Sequence, residues 1–193
     1  MNCQRIYIEN KMELHFKQMI FAFLLIVIAC GNHNNDHIEP IEVVLEKWYG
    51  QEIVLPDSLF CFTNSIMTPV LISDSDNFRL ISLISADCPN CIEDIFNLYQ
   101  FYSKIGQHDN AEVMIILFAR DYDYLLSHYW NQLPQDLNIY IDPEYRFYDL
   151  NNYPKNELYR TFLINRGNEV IIIGDPIYNF DLQDLYLEKI RKK

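Results

Sequence analysis

The sequence has few basic residues, and it lacks the common motifs of phosphate-binding, serine-hydrolase and calcium-binding sites. Basic residues number 15 against 27 acidic ones, for a formal net charge of −12, and they form no stripe. Because nucleic-acid binding is carried mainly by Lys and Arg side chains facing phosphates, this balance argues against a nucleic acid as partner. The chain also lacks a glycine-rich phosphate loop, a Ser-His-Asp signature and an Asp-x-Asp-x-Asp-Gly calcium loop.

Glycine is scarce, with 5 residues in 193, and only 22% of the residues are charged. This composition argues against extensive disorder outside the ends of the chain. With 50% hydrophobic and 15% aromatic residues, a chain of this length can bury one well-packed core. We therefore expect a single folded domain, with most aromatic side chains in its core.

Apolar runs long enough to cross a bilayer are also missing, because the apolar, uncharged stretch Gln18–Ala29 has only twelve residues. A bilayer-spanning helix needs about 20 residues. The stretch follows Lys11 and Lys17, which is typical of the apolar core of a secretory signal peptide. The sequence thus predicts a signal peptide over residues 1–29, with Met12 as an alternative start that would leave residues 1–11 outside the protein.

The end of this stretch, Val27-Ile-Ala-Cys30-Gly31, resembles the lipobox of bacterial lipoproteins. The resemblance implies that Cys30 is acylated, becomes the mature N-terminus and anchors the chain to a membrane. Residues 30–40 would then form a polar tether. Gly31 resembles the second mature residue of lipoproteins sent to the outer membrane of Gram-negative bacteria. The alternatives are a signal peptide cut elsewhere, or a short amphiphilic start of a cytosolic protein.

The cysteines outside the leader and anchor are Cys61, Cys88 and Cys91. Cys61 has apolar and aromatic neighbours and is interpreted as a core cysteine rather than a resolving thiol. Cys88 and Cys91 form the single Cys-x-x-Cys, whereas zinc usually needs two such pairs or a pair plus spaced histidines. Since His108 and His128 stand singly, we expect neither a metal nor a cofactor.

Hydrophobic periodicity predicts the elements up to the middle of the chain. A short helix, 41–49, and two strands, 51–63 and 65–72, belong to an N-terminal extension spanning 41–74. A strand buried on both faces follows at 78–85. The next helix starts with Cys88 in the cap region and Pro89 in the first turn, runs to about Ile105, and should bury Phe96 with its neighbours. A second strand, 112–119, and helix, 122–130, complete a parallel β-α-β-α pattern.

The final third changes character. A strand at 137–142 and a helical turn at 143–150 precede two strands, 158–164 and 169–173. Residues 165–168 join these strands as a hairpin in which we expect Gly167 to supply a positive φ. An amphipathic helix, 181–192, closes the chain.

A parallel β-α-β-α half joined to a β-hairpin-α half, with Cys-x-x-Cys at the end of its first strand, resembles the thioredoxin fold. The resemblance covers residues 75–193 and includes Thr161-Phe-Leu-Ile-Asn-Arg-Gly-Asn-Glu-Val170. With the Trp48–Pro56 stretch, the chain is similar to thioredoxin-like lipoproteins of the Bacteroidetes, an extracytoplasmic branch. The fold class implied is α/β, a thioredoxin-like sheet with helices on both faces, preceded by a short helix and strand extension.

The resemblance implies a thiol-disulfide oxidoreductase that acts on protein thiols or disulfides. Cys88 would be the nucleophile and Cys91 the resolving thiol, because the positive end of a helix stabilises a thiolate. Pro89 and Asn90 would set the redox potential. Asp87 stands where the family commonly has Trp, and its negative charge should disfavour the Cys88 thiolate.

One part of the family pattern is missing. The cis-proline that normally faces the cysteines should precede Thr161 by about two residues, but Leu158-Tyr159-Arg160 stands there. We expect Tyr159 or Arg160 to face the site instead. This departure keeps open a redox-silent binding module. A thiol peroxidase is a further alternative, since Ser85 keeps the hydroxyl of that family's Pro-x-x-x-Thr-x-x-Cys motif but the proline is absent.

Overall fold

The computed structural model describes residues 40–63, 66–72, 75–153 and 156–191. The predictions of a signal peptide, of a lipidated Cys30 and of a tether up to residue 39 lie outside these residues. Within them, no helix has the length and apolarity needed to cross a membrane.

The described residues form six α-helices and seven strands. In chain order these are Ile41–Trp48 (α1), Leu59–Thr63 (β1), Ile66–Val70 (β2), Phe78–Ser85 (β3), Pro89–Asn97 (α2), Tyr99–Gly106 (α3), Ala111–Phe118 (β4), Tyr122–His128 (α4), Ile139–Ile141 (β5), Arg146–Asn151 (α5), Thr161–Ile164 (β6), Val170–Ile173 (β7) and Phe180–Arg191 (α6). Two short 3-10 helices lie at Trp130–Gln132 and Glu157–Tyr159.

The strands make one mixed sheet in the order β2-β1-β5-β4-β3-β6-β7. Strands β3, β4 and β5 are parallel, whereas β6 runs antiparallel to β3 and β7 antiparallel to β6. The predicted β-α-β-α half followed by a β-hairpin and a helix is confirmed. In this topology the carboxyl ends of β3 and β4 meet the start of β6 at one edge, since Ser82 pairs with Thr161 and Ser85 with Phe118.

Two apolar clusters cover the two faces of the sheet, as predicted. Alternating residues of β3 separate onto them, with Leu80 and Ile84 on one face and Ile81 and Leu83 on the other. Helices α2, α3, α4 and α6 contribute buried residues to the first cluster, and α1 and α5 to the second. The central strands are thus buried on both faces, which is why they lack polar alternation.

The prediction of one continuous helix to Ile105 was wrong. The helix is interrupted at Leu98, whose φ of −93° and ψ of −1° separate α2 from α3 and whose N–H bonds to the carbonyls of Asp94 and Phe96. The inward face runs through Ile92, Ile95 and Leu98, at a spacing of three residues. Phe96 therefore lies outside that face and is 43% exposed, whereas the sequence predicted that it would be buried.

Two predicted strands were too long. The segment 51–58 pairs only through an isolated bridge between Glu52 and Glu169, so the strand there begins at Leu59. The strand predicted from residue 158 begins at Thr161, because residues 157–159 form a 3-10 helix.

The hairpin between β6 and β7 has its positive φ at Asn168 (60°), not at Gly167 as predicted. The side-chain Oδ1 of Asn165 accepts hydrogen bonds from the N–H of Gly167 at 2.8 Å and of Glu169 at 3.0 Å. These bonds close the turn. The left-handed backbone conformation falls on Asn168, one residue after Gly167, and asparagine tolerates this conformation.

Candidate active site

Cys88 lies at the junction of β3 and α2, as the N-cap residue of the helix. Its backbone is extended (φ −113°, ψ 110°), and its Sγ accepts the N–H of Cys91 at 3.3 Å. Pro89 occupies the first turn, where its missing N–H leaves no carbonyl unsatisfied. The half-buried sulfur thus lies at the positive end of a helix and receives a backbone N–H, two features that stabilise a thiolate.

Cys91 lies one turn further into the helix and is only 4% exposed. Burial raises the pKa of its thiol to about 12, assisted by the hydrogen bond to Cys88 and by the charges of Cys88 and Glu157, while Arg160 lowers it. The Sγ of Cys91 is 4.0 Å from Oε1 of Glu157. The two cysteines are free thiols in different environments, since Cys88 is half-buried at the start of the helix and Cys91 is buried.

Asp87, Pro89 and Asn90 surround Cys88 in sequence, and all three are exposed. Oδ1 of Asp87 accepts the backbone N–H of Arg120 at 2.8 Å, and Oδ2 is 3.9 Å from the Arg120 Nε. The carboxylate of Asp87 is thus directed to the loop that follows β4.

Arg160 lies just before β6, in the segment Leu158–Arg160 that stands in place of the proline of the family pattern. No cis peptide bond occurs in the described part of the chain. Nη2 of Arg160 is 2.6 Å from Oδ2 of Asp94 on α2, and Nε bonds to Oδ2 of Asp175 after β7. Burial alone would lower the pKa of Arg160, but the two carboxylates outweigh it and raise that pKa. Arg160 therefore connects three segments around the dithiol as a buried cation.

Tyr159, the other residue expected at the site, is buried in the apolar cluster beneath α1 and α5. The backbone carbonyl of Tyr159 accepts the hydroxyl of Tyr153 at 3.2 Å. The structure thus brings Arg160, and not Tyr159, beside Cys91.

A cavity of about 170 Å³ opens beside Cys91 at the carboxyl ends of β3 and β4. Glu157 and Arg160 line it from the loop before β6. The remaining wall comes from the two strands and from the start of α5 and consists of Leu83, Ser85, Phe118, Tyr145 and Tyr148. We name this cavity the Cys91 pocket.

Sequence reasoning missed the aromatic and acidic walls of the Cys91 pocket. Tyr145 and Tyr148 lie more than fifty residues from Cys91 and have no motif around them, so only the fold places them there. The position of Glu157 near Arg160 could have been predicted, because Glu157 precedes Arg160 by three residues and one helical turn brings such residues together.

Cys61 is half-buried on β1, with its Sγ 3.9 Å from the carbonyl oxygen of Ile139. Burial raises the pKa of this thiol. Cys61 lines a separate cavity of about 150 Å³ beside Trp130. Among the described residues, no three His, Cys, Asp or Glu side chains cluster in a way that could hold a metal ion.

No protein-family model matches this chain, and no curated protein sequence matches it. Its structure is similar to those of several bacterial proteins. A protein assigned as the thiol:disulfide interchange protein DsbE of Chlorobium tepidum aligns with a TM-score of 0.54 and 16% identity over 73% of this chain and 94% of its own. A thioredoxin-like protein from Bacteroides caccae has the same TM-score and identity over 79% of this chain, which covers 57% of that protein.

The thioredoxin domain of a thiol-disulfide oxidoreductase from Bacteroides vulgatus aligns with a TM-score of 0.53 and 11% identity, over 74% of this chain and 98% of its own. At such identities the similarity establishes the fold. The chain has a thioredoxin-like fold, as the order of its elements and the position of its Cys-x-x-Cys predicted.

Proposed function

We propose that this protein is a lipid-anchored, extracytoplasmic thiol-disulfide oxidoreductase that uses Cys88 and Cys91. The observation that carries the proposal is the difference between the two sulfurs. Cys88 is accessible at the start of a helix and accepts a backbone N–H, whereas Cys91 is buried and its pKa is raised to about 12. Two solved structures of the same fold are of proteins described as acting on thiols and disulfides, which supports this reaction class.

The reaction would proceed in two displacements. The Cys88 thiolate attacks a substrate disulfide, so that a bond between Cys88 and one substrate sulfur forms while the other sulfur leaves with its electron pair. Cys91 then loses its proton and attacks the Sγ of Cys88, releasing the second substrate sulfur. The pair ends as a Cys88–Cys91 disulfide and the substrate has gained two electrons.

Trapping of mixed disulfides tests this proposal. In the Cys91→Ser variant the second displacement is blocked, so a covalent complex between Cys88 and a disulfide substrate should accumulate. The Cys88→Ser variant should trap nothing, and Cys61→Ser serves as the matched control that behaves as the unmodified chain. Equal trapping by all three variants, or by none, would refute the assignment.

The reduction potential of the pair gives the direction of electron flow. A value below about −250 mV would indicate a reductant, and one near −120 mV an oxidant. Failure of the purified protein to form any Cys88–Cys91 disulfide in oxidised glutathione would overturn the redox function.

The lipid anchor and outer-membrane location are supported by the lipobox-like Val27–Gly31 alone. Metabolic labelling with a fatty acid tests them: the chain should be labelled and should fractionate with the outer membrane, while Cys30→Ser should be unlabelled. A labelled Cys30→Ser variant would exclude Cys30 as the anchor.

A redox-silent binding module is the second candidate, and the specific observation that favours it is Arg160. Its buried side chain is paired to two carboxylates and belongs to the segment Leu158–Arg160, which lacks the proline that the family pattern has beside the cysteines. This candidate predicts that no mixed disulfide is trapped and that Cys88→Ser has no phenotype.

A further inference from the structure

We propose that the Cys91 pocket receives a lysine or arginine side chain of the protein substrate, and that this cation promotes the attack of Cys91. The inference rests on the proposed exchange reaction and names the substrate class for it: cysteine-containing polypeptides with a basic residue near the reacting sulfur.

The size and position of the pocket fit a single side chain. A cavity of about 150 Å³ holds one benzene molecule, so the volume of about 170 Å³ suits one side chain rather than a coenzyme or an oligosaccharide. The pocket touches Cys91 but not Cys88. A substrate bonded to Cys88 could therefore place a neighbouring side chain in it.

The pocket wall has the chemistry of a cation site. The ring of Phe118 lies 5.3 Å, centroid to centroid, from the rings of both Tyr145 and Tyr148, and cations bind favourably to such aromatic faces. Glu157 adds an exposed carboxylate to the same wall. No ion pair between described residues includes Glu157.

The one cation already in the wall does not cancel this preference. Arg160 bonds to two carboxylates, Asp94 and Asp175, so these three groups carry a net negative charge when ionised. Glu157 makes the surroundings of the pocket more negative still. The formal charge of −12 for the whole chain also favours encounter with basic polypeptides.

A bound cation would act on the second displacement. The negative charge of Glu157 is one cause of the raised pKa of Cys91, and Arg160 opposes it. A basic side chain in the pocket would neutralise Glu157 and add a positive charge beside the sulfur, which favours the thiolate. That thiolate forms the bond to Cys88 Sγ as the bond from Cys88 to the substrate breaks, and the departing sulfur takes up the Cys91 proton by way of solvent.

Binding without chemistry is the first test. The double variant Cys88→Ser/Cys91→Ser is titrated with peptides that carry serine in place of the reactive cysteine. Lysine, norleucine or glutamate occupies each flanking position in turn. We expect one lysine position to bind about tenfold more tightly than norleucine, and Glu157→Gln in the same background to remove most of the difference. The control Glu93→Gln, an exposed carboxylate on α2 outside the pocket, should keep it.

Exchange kinetics with the intact dithiol is the second test. Peptides of the same sequences with the reactive cysteine restored, supplied as disulfides, should react to completion fastest when lysine is at the preferred position. The gain in rate should appear in the release of the second sulfur. Exchange that is indifferent to lysine, or equal binding of lysine and norleucine peptides, overturns the inference while the oxidoreductase function stands. Selective binding without any exchange keeps the cation site and overturns the redox reaction.

Discussion

Nη2 of Arg160 lies 2.6 Å from Oδ2 of Asp94, joining the loop before β6 to the helix that carries both cysteines. The same guanidinium bonds to Asp175 beyond β7. Side-chain exposures are 10% for Arg160, 19% for Asp94 and 8% for Asp175. Glu157, three residues before Arg160, lies beside Cys91, with its Oε1 4.0 Å from the sulfur. An ion network thus joins the segment that lacks the usual proline to the dithiol helix, and its Arg160 lines the Cys91 pocket.

Replacing Arg160 should strongly destabilise the fold. Arg160→Met leaves two largely buried carboxylates without their cation, and breaking a buried pair in this way costs about 3–5 kcal/mol. Urea denaturation followed by circular dichroism should show this loss in the free energy of unfolding. The control is Arg120→Met, whose side chain is 91% exposed and 3.9 Å from Asp87, and it should cost less than about 1 kcal/mol. Similar small losses for both variants would contradict the role given to Arg160.

Alkylation should distinguish the two cysteines of the dithiol. The pKa of Cys91 is raised from an ordinary 9.0 to about 12, so its thiol stays protonated and reacts slowly from pH 6 to pH 10, whereas the accessible Cys88 reacts first. Differential labelling with iodoacetamide in a Cys61→Ser background, read by mass spectrometry, measures both rates. Both thiols should react at similar rates in urea.

The same raised pKa has a consequence for stability. Below about pH 9 both the folded and the unfolded chain keep the Cys91 proton, and the contribution of this thiol to the free energy of unfolding is fully present. As the pH rises from 9 towards 12 the thiol ionises first in the unfolded chain, and this contribution to the free energy of unfolding is lost.

Rapid labelling of Cys91 in the folded protein at pH 8 would show that the thiol is not held protonated.

The hairpin between β6 and β7 should be sensitive at residue 168 and not at its glycine. Asn168 has a φ of 60°, where alanine costs about 1 kcal/mol more than asparagine. Gly167→Ala requires no positive φ and adds a Cβ 3.4 Å from Asn165 Oδ1, an ordinary contact. Thermal unfolding of the two variants should therefore show a clear loss for Asn168→Ala and a small change for Gly167→Ala; the reverse order would contradict the turn geometry.

The hydroxyl of Tyr186 should stabilise the docking of α6 on the sheet. It is fully buried and lies 2.8 Å from the carbonyl oxygen of Gly174 and 3.0 Å from that of Thr161. Tyr186→Phe removes the donor to these acceptors and should lower the free energy of unfolding by about 1–2 kcal/mol. Tyr178→Phe, at a side chain that is 82% exposed, provides the matched control and should change it by less than about 0.5 kcal/mol. Equal effects in chemical denaturation would exclude the proposed contact.

Local patterns in the sequence were sufficient for the central elements. The apolar run at 78–85 predicted β3 with its observed bounds, and Pro89 after Cys88 predicted where α2 begins, because burial on both faces and first-turn chemistry depend on near neighbours. The continuous helix to Ile105 was wrong, since no proline or glycine in the sequence marks the break at Leu98.

The sequence by itself thus determined the thioredoxin-like order of elements and the position of the two sulfurs at a strand-to-helix junction. Tertiary structure alone decided which groups surround Cys91, because Tyr145, Glu157 and Arg160 reach it only when β6 pairs with β3 and α5 packs on the sheet. The depth at which a charge is buried depends on these long-range contacts. For that reason the pairing of Arg160 with two carboxylates, the position of Glu157 beside Cys91 and the raised pKa of Cys91 emerge only from the folded chain.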